Sequence, residues 1–121
     1  MEATSDYWLA MDNLIHSTRI VIDRPRGSTH PRYEDMIYPL DYGYLDNTFA
    51  GDGAGIDVWI GSNAVKTLTG ILCTFDKLKR DAEIKLLIGC THEDVETIQG
   101  FNSDMPTLFI PNPMVEHDLS G

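Results

Sequence analysis

The amino-acid sequence predicts a mainly β domain with one helix near each end, arranged as a small closed or partly closed antiparallel β-barrel. Three observations support this fold class. Short runs of β-branched and apolar residues alternate with glycine and proline, a pattern typical of strands joined by turns. A helical period occurs near the N-terminus, and a helix start signal follows the last apolar run. With 121 residues the chain can build one hydrophobic core, so residues 1–121 are predicted to form a single domain.

The first helix is predicted from Ser5 to His16, where Trp8, Met11 and Ile15 recur at helical spacing. This apolar stripe favours packing against the sheet or against another subunit over any catalytic role. The helix is therefore expected to cover the core.

Five strands are predicted after this helix, each a β-branched or apolar run bounded by turn residues. They are Thr18 to Ile22, Met36 to Leu45, Ile56 to Ile60, Lys66 to Phe75 and Asp81 to Cys90. Gly70 is predicted to form a bulge within the fourth strand. The second helix is predicted from Thr91 to Gln99, because a threonine followed three residues later by Asp94 matches a helix start. The tail from Met105, which contains LFIPNP and Pro113, is expected to run extended along the body, and Val115 to Gly121 is expected to be frayed.

The composition excludes several classes of function. A net charge of −10 argues against sequence-independent binding of nucleic acids, which needs a basic surface. No apolar run approaches the roughly 20 residues of a membrane span, and the first residues lack the layout of a signal peptide. A cytoplasmic protein is therefore expected. Cys73 and Cys90 lie in apolar runs and are predicted to be buried, reduced thiols.

The stretch from Ile37 to Ile60 carries an unusual density of tyrosine, glycine and aspartate. Its glycines permit positive φ and a close approach of the backbone to a ligand. Asp52 and Asp57 stand five residues apart where the chain enters an apolar run, so they could share a hard divalent cation. The alternative interpretation is a glycine turn whose aspartates are simply solvated.

One loop of this acidic chain is rich in basic residues, and one predicted strand pairs an acid with a lysine. The loop from Arg24 to Asp35 carries several of them, which could bind phosphate through guanidinium groups or could form a solvated loop. Farther along, Glu83 and Lys85 lie on one face of a predicted strand. That pair could serve a site or could be a surface ion pair that contributes less than ~1 kcal/mol.

Three segments in order resemble the soluble, metal-dependent inorganic pyrophosphatases of family I, and in particular a short, divergent branch of that family. They are DRPRGSTHP (Asp23 to Pro31), IYPLDYGYLDNTFAGDGAGID (Ile37 to Asp57) and DAEIKLL (Asp81 to Leu87). They match IDRP-x-GS-x-HP, YP-x-NYGY and AGDG-x-x-ID of the short branch and the acid-and-lysine segment that follows. The resemblance covers about residues 19 to 90 and implies a five-stranded, OB-like antiparallel β-barrel.

The resemblance also implies a metal site. Asp52 and Asp57 match the metal ligands of the family on the loop and on the following strand. The third carboxylate stands two residues before a lysine that binds phosphate, which makes it Glu83 if that lysine is Lys85; an alignment with a gap selects Asp81 instead. Glu83 is preferred because it shares a strand face with the lysine. Mg²⁺ is the expected ion, with Mn²⁺ as a substitute.

The same resemblance assigns Arg24, Tyr42 and Lys85 to the phosphate groups of the substrate, and the catalytic set is Asp57 with these three residues. The implied activity is the hydrolysis of pyrophosphate, or of a related phosphoanhydride, by a water molecule that the metal activates. No nucleic-acid or membrane partner is expected. Members of the family commonly form compact oligomers, so a homo-oligomer is expected.

Two positions depart from the family pattern. Ala54 stands where the family has an acid that orients or deprotonates the attacking water, and Asp41 stands where it has a neutral residue. The activity is therefore expected to be weak. The alternative function is a degenerate pyrophosphatase-like domain that binds a phosphate-bearing ligand or a partner without turnover.

Overall fold

The computed structural model describes residues 3–115 and contains two helices and six strands within that range. The end that is expected to be frayed lies outside the described residues, apart from Val115. The helices are α1 (Ala3–Ser17) and α2 (His92–Phe101). The strands are β1 (Ile20–Arg24), β2 (Asp41–Leu45), β3 (Asp57–Ile60), β4 (Leu68–Asp76), β5 (Asp81–Ile88) and β6 (Thr107–Pro111). The predicted mainly β class with a helix toward each end is confirmed.

All six strands belong to one open, mixed sheet in the order β1-β2-β3-β5-β4-β6. The pair β3 and β5 is parallel, and the other neighbouring pairs are antiparallel. The predicted closed, five-stranded antiparallel barrel is therefore wrong. Closure would require β1 to pair with β4, but a strand has only two edges, and β4 uses them for β5 and for the additional strand β6.

The sheet has a hydrophobic cluster on each face. Successive residues of a strand point to opposite faces, so Val58 and Leu86 pack beneath α1, while Trp59 and Leu87 pack beneath α2. Burial on both faces explains why the central strands are almost continuously apolar in sequence. The face that carries α2 is the one that holds the candidate site.

The predicted stripe of α1 packs as expected, since Trp8 and Ile15 are buried and Met11 is partly buried. Of the two predicted thiols, Cys90 is buried, and its burial raises the pKa of the Cys90 thiol to about 12. Cys73 is only partly buried, and neither forms a disulfide. Neither helix within residues 3–115 is long and apolar enough to cross a membrane.

The start of α2 is fixed by a reciprocal cap that also joins the helix to the chain after β3. Thr91 accepts a hydrogen bond from the backbone of Asp94, and Asp94 Oδ2 accepts one from the backbone of Thr91. The same oxygen accepts bonds of 2.8 Å from the backbone N–H and from the hydroxyl of Ser62. Burial raises the pKa of Asp94, but these hydrogen bonds outweigh burial, so the pKa lies below its ordinary value of 3.8.

We expect Asp94→Ala to lower the free energy of unfolding by about 2–3 kcal/mol at pH 7, because a charged acceptor and a helix cap are lost together. Since the pKa of Asp94 is lower in the folded state, its stabilising contribution is present above the unfolded pKa and is lost as the pH falls through the folded pKa. Urea denaturation at pH 7 and at pH 3 measures both effects. Glu93→Ala, at an exposed residue of the same turn, is the control, and an equal loss of stability in both variants would contradict this role.

Candidate functional site

The ammonium group of Lys85 is the centre of a cluster of polar side chains. Its side chain is only 10% exposed. Nζ donates a hydrogen bond of 2.8 Å to Tyr42 Oη and one of 3.2 Å to Asp57 Oδ2. Glu83 Oε2 lies 3.7 Å from the same nitrogen. Four of the residues singled out from the sequence are therefore in contact around one buried cation.

Three adjacent strands place these side chains together. Glu83 and Lys85 are two residues apart on β5 and so share a face. The parallel register pairs Val58 with Leu86, which sets Asp57, one residue earlier on β3, beside Lys85. On the other side of β3, Tyr42 of β2 pairs with Trp59.

A close approach of backbones supports Tyr42 from the outer side. Gly43 on β2 lies directly against the carbonyl group of Val21 on β1, and a Cβ at this position would overlap that carbonyl. Glycine is therefore required for β1 to pair at this point with the strand that carries Tyr42.

Tyr42 and Lys85 both have pKa values above their ordinary values. Burial raises the pKa of Tyr42 above its ordinary value, so the phenol stays neutral at physiological pH. Burial alone would lower the pKa of Lys85, but its contacts with Tyr42, Asp57 and Glu83 outweigh that effect and raise it. Lys85 therefore keeps its positive charge and Tyr42 keeps its proton at physiological pH.

Arg24 lies at the end of β1, opposite Tyr42 in the strand register. Its guanidinium donates a hydrogen bond of 3.2 Å to the carbonyl of Asp23 and lies 3.9 Å from the carboxylate of that residue. Burial raises the pKa of Tyr38, and the nearby Arg24 guanidinium partly offsets the effect. Arg24 thus reaches the neighbourhood of the cluster through Tyr38, whose ring lies 5.6 Å from that of Tyr42.

The acidic loop of Asp52 does not join the cluster. Asp52 is exposed, and its Oδ1 accepts a hydrogen bond of 3.0 Å from the backbone of Ala54. Gly53 has a φ of 87°, in the left-handed region that favours glycine, and its N–H donates to the carbonyl of Ala50. The three carboxylates of the sequence prediction are therefore divided, with Asp57 and Glu83 at Lys85 and Asp52 in a separate turn.

Across residues 3–115, no three histidine, cysteine, aspartate or glutamate side chains converge as a group that could hold a metal ion. The donors that do converge are Asp57 and Glu83, the two carboxylates within 4 Å of Lys85 Nζ. Mg²⁺ in proteins is usually bound by one or two carboxylates, with waters and substrate phosphates as its other ligands. The donor chemistry of Asp57 and Glu83 thus fits Mg²⁺ together with a phosphate, but not a cage made of protein groups alone.

A cavity of about 320 Å³ opens beside the cluster. Tyr42, Glu83 and Lys85 line it, and so does Asp81, the alternative third carboxylate. Its walls also include residues from His30 to Met36, which overlap the loop that the sequence offered as a possible phosphate-binding segment, and the end of α2 with the turn after it, Phe101 to Met105, which the sequence interpretation did not assign to the site. The aromatic and basic residues next to Pro31 were the one signal in the sequence that pointed to the first of these segments.

Asp41, the other departure from the family pattern, faces a different partner. Its Oδ1 accepts a hydrogen bond of 2.8 Å from the backbone N–H of Arg26. Asp41 therefore fixes the turn after β1.

No protein-family model matches the chain, and no curated protein matches it either. Among solved structures, the chain is similar to the crystal structure of an inorganic phosphatase from Anaplasma phagocytophilum. The two share 18% sequence identity over 76% of this chain and 81% of the other, with a TM-score of 0.49. A likeness this distant does not indicate an activity. The residues around Lys85 are the basis for the function of this chain.

Proposed function

We propose that the chain is a metal-dependent hydrolase of inorganic pyrophosphate or a related phosphoanhydride, with its site at Lys85. The observation that carries this proposal is the convergence of Tyr42, Asp57 and Glu83 on one buried ammonium group at the edge of a cavity. The motif resemblance supports the same residues independently of their geometry. Perturbed titratable groups beside a cavity are also what a functional site typically contains.

Lys85 and Tyr42 have the hydrogen-bonding capacity to bind a phosphate. An ammonium group has three N–H donors, and Lys85 uses two of them in hydrogen bonds to Tyr42 and Asp57. Tyr42 Oη accepts from Lys85 and also interacts with the Asp57 carboxylate, so its proton would turn from Asp57 to a phosphate oxygen when substrate binds. Arg24, opposite Tyr42 in register, would supply a second cation for the other phosphate group.

Asp57 and Glu83 would hold the metal ion, Mg²⁺ or Mn²⁺, together with phosphate oxygens of the substrate. When bound, such an ion neutralises phosphate charge and lowers the pKa of a water molecule. Both carboxylates form ion pairs with Lys85, and these ion pairs hold the two carboxylates near each other before a ligand binds. Asp52 would join them only if its loop moved.

Release of inorganic phosphate from pyrophosphate, with Mg²⁺ and with excess chelator, tests the proposal. We expect release that depends on the metal and saturates with substrate. An absence of release with Mg²⁺, Mn²⁺ and other divalent ions would exclude the hydrolase.

A second function, binding of a phosphate-bearing ligand without turnover, is favoured by two observations. Ala54 provides no carboxylate for the attacking water, and Asp52 is separate from the cluster. This function predicts saturable, Lys85-dependent binding of pyrophosphate with no phosphate release. The two functions therefore differ in turnover and agree on the location of the site.

If the loop of Asp52 closes over bound substrate, we expect Ala54→Asp to raise kcat for pyrophosphate at least about tenfold while KM changes only a few-fold. A positioned carboxylate that assists proton transfer typically contributes ~10²–10⁴-fold, and an exposed loop should deliver only part of that effect. The native activity should also rise more steeply with pH than that of the variant, because the native loop offers no base at this position. Steady-state kinetics from pH 6 to pH 9 measure kcat and its pH dependence in both proteins, with Ala54→Ser as the uncharged control. A slower Ala54→Asp variant would mean that another group, such as Asp81 in the cavity wall, serves as the base.

A homo-oligomer and a cytoplasmic location remain predictions. The outer part of β4, β5 and β6 supports self-association, because Phe75, Ile84, Leu108 and Ile110 are large apolar residues that are more than a third exposed. Ile84 and Leu108 both pair with Cys73, so part of this apolar surface is contiguous. Light scattering should therefore give a molar mass that is a multiple of 13.6 kDa, and a mass of one chain would exclude the oligomer.

A further inference from the structure

The cavity beside Lys85 offers an aromatic surface that bare pyrophosphate could not use. Ring contacts connect Tyr33 to His30 at 5.0 Å, His30 to Tyr38 at 6.1 Å, and Tyr38 to Tyr42 at 5.6 Å, measured between centroids. Tyr42 in turn accepts the hydrogen bond of Lys85. A series of ring contacts thus connects the exposed Tyr33 to the cation of the site through Tyr38, which is buried. Pyrophosphate has no apolar surface to bury against it.

The outer end of this surface is accessible. Tyr33 lines the cavity and is 56% exposed, so its ring is not committed to the core. Its neighbour His30 accepts a hydrogen bond of 3.0 Å at Nδ1 from the backbone N–H of Arg32, which fixes the position of the ring. Phe101, Met36 and Met105 add apolar lining. A partly exposed aromatic wall is suited to stack on a planar ring.

The charged end of the cavity selects a polyphosphate with a bound cation. Cations and carboxylates line the same space. The cations are Arg32, Lys79 and Lys85, and the carboxylates are Asp76, Asp81, Glu83 and Asp104. A free polyanion would be repelled by the carboxylates, and a free cation by the basic groups. A polyphosphate that carries a divalent ion satisfies both sets. The ligand therefore needs a phosphoanhydride and a planar aromatic group in one molecule.

We infer that the substrate class is a nucleoside di- or triphosphate, with the base on the Tyr33 wall and the terminal phosphates at Lys85. This inference rests on the proposed phosphoanhydride hydrolase and narrows its substrate. For ADP, the oxygen of water bonds to the β-phosphorus and the bridging P–O bond breaks. The electron pair of that bond stays on the departing AMP oxygen, a proton from the water passes to solution, and the products are AMP and phosphate.

The test compares the binding of ADP and of pyrophosphate by calorimetry, each with Mg²⁺, to the full chain and to Tyr33→Ala. We expect the variant to bind ADP at least about tenfold more weakly, since stacking of one base on one ring is lost. Pyrophosphate binding should change less than about twofold. Tyr33→Phe, which keeps the ring, should retain ADP binding. Phe49→Ala, which removes an 80% exposed ring that does not line the cavity, should affect neither ligand.

The outcomes separate this inference from the function on which it rests. If pyrophosphate binds and releases phosphate while Tyr33→Ala leaves ADP binding unchanged, the nucleotide inference is overturned and the hydrolase stands. Failure of ADP to bind at all, with pyrophosphate bound, also overturns the nucleotide inference, and phosphate release then distinguishes the hydrolase from the binding function. If neither ligand binds, both proposals are wrong.

Discussion

Lys85→Met is expected to lower kcat/KM for pyrophosphate by at least about 100-fold and to leave the fold intact. The substitution keeps the length and apolar stem of the side chain and removes the charge that Tyr42, Asp57 and Glu83 surround. Loss of one preorganised donor to a reacting oxyanion typically costs ~10²–10³-fold. Steady-state phosphate release gives the kinetic effect, and urea denaturation gives the free energy of unfolding.

The change in stability should stay below the 3–5 kcal/mol that removal of one partner of a fully buried ion pair costs. The remaining carboxylates, Asp57 and Glu83, have side chains that are 31% and 34% exposed and so keep part of their hydration. Lys77→Met, in the exposed turn after β4, is the matched control and should retain full activity. A variant Lys85→Met that is much less stable but equally active would make Lys85 a structural residue.

Asp57→Asn is expected to weaken Mg²⁺ binding at least about tenfold and to lower metal-dependent phosphate release about 100-fold. The amide keeps the size of the side chain and an oxygen that can accept from Lys85, but it removes the charge that a hard cation requires. Calorimetric titration with Mg²⁺ in the presence of phosphate measures the affinity.

Two other aspartates provide controls for this substitution. Asp46→Asn changes a residue that lies 3.6 Å from Arg19, so it should bind Mg²⁺ like the native chain. Asp52→Asn should have a smaller effect than Asp57→Asn, because Asp52 lies outside the cluster around Lys85. Unchanged affinity in Asp57→Asn would remove Asp57 from the metal site.

Local sequence patterns predicted the parts of this molecule that depend on residues close together in the chain. The apolar stripe of α1 and the cap of α2 each depend only on residues within a few helical turns of one another. The bulge at Gly70 appears as a shift of register between Leu68 and Gly70. The shared face of Glu83 and Lys85 follows from the period of two in a strand.

The pairing of distant strand edges could not be predicted in this way. The segment Thr107–Pro111 was expected to be extended, and it is extended, but only the long-range pairing with β4 makes it a strand. Pro111 lacks an N–H donor, which an edge strand tolerates. This pairing occupies the edge that a closed barrel would have needed, so one missed contact changed the architecture.

The metal site was the least predictable part. The spacing of Asp52 and Asp57 is compatible with a shared ion, but spacing says nothing about how a loop with Gly53 at positive φ turns its side chains. In the structure, the side chain of Asp52 accepts a hydrogen bond from the backbone N–H of Ala54 in the same loop. The cavity walls were equally difficult to predict, because Tyr33 lies in a loop and Phe101 at the end of α2, and the two are far apart in the chain.

The central claim, that a phosphoanhydride binds at Lys85 on the α2 face of the sheet, is tested most directly through the two tryptophan indole N–H signals in a ¹H–¹⁵N NMR spectrum. Trp59 lines the cavity, whereas Trp8 packs in the cluster beneath α1 and serves as an internal control. Assignment requires only Trp8→Phe. We expect Mg²⁺ and pyrophosphate together to shift the Trp59 signal in a saturable way and to leave the Trp8 signal in place. In Lys85→Met, neither signal should shift. A Trp59 signal that stays fixed at saturating ligand, or a shift confined to Trp8, would contradict this location of the site.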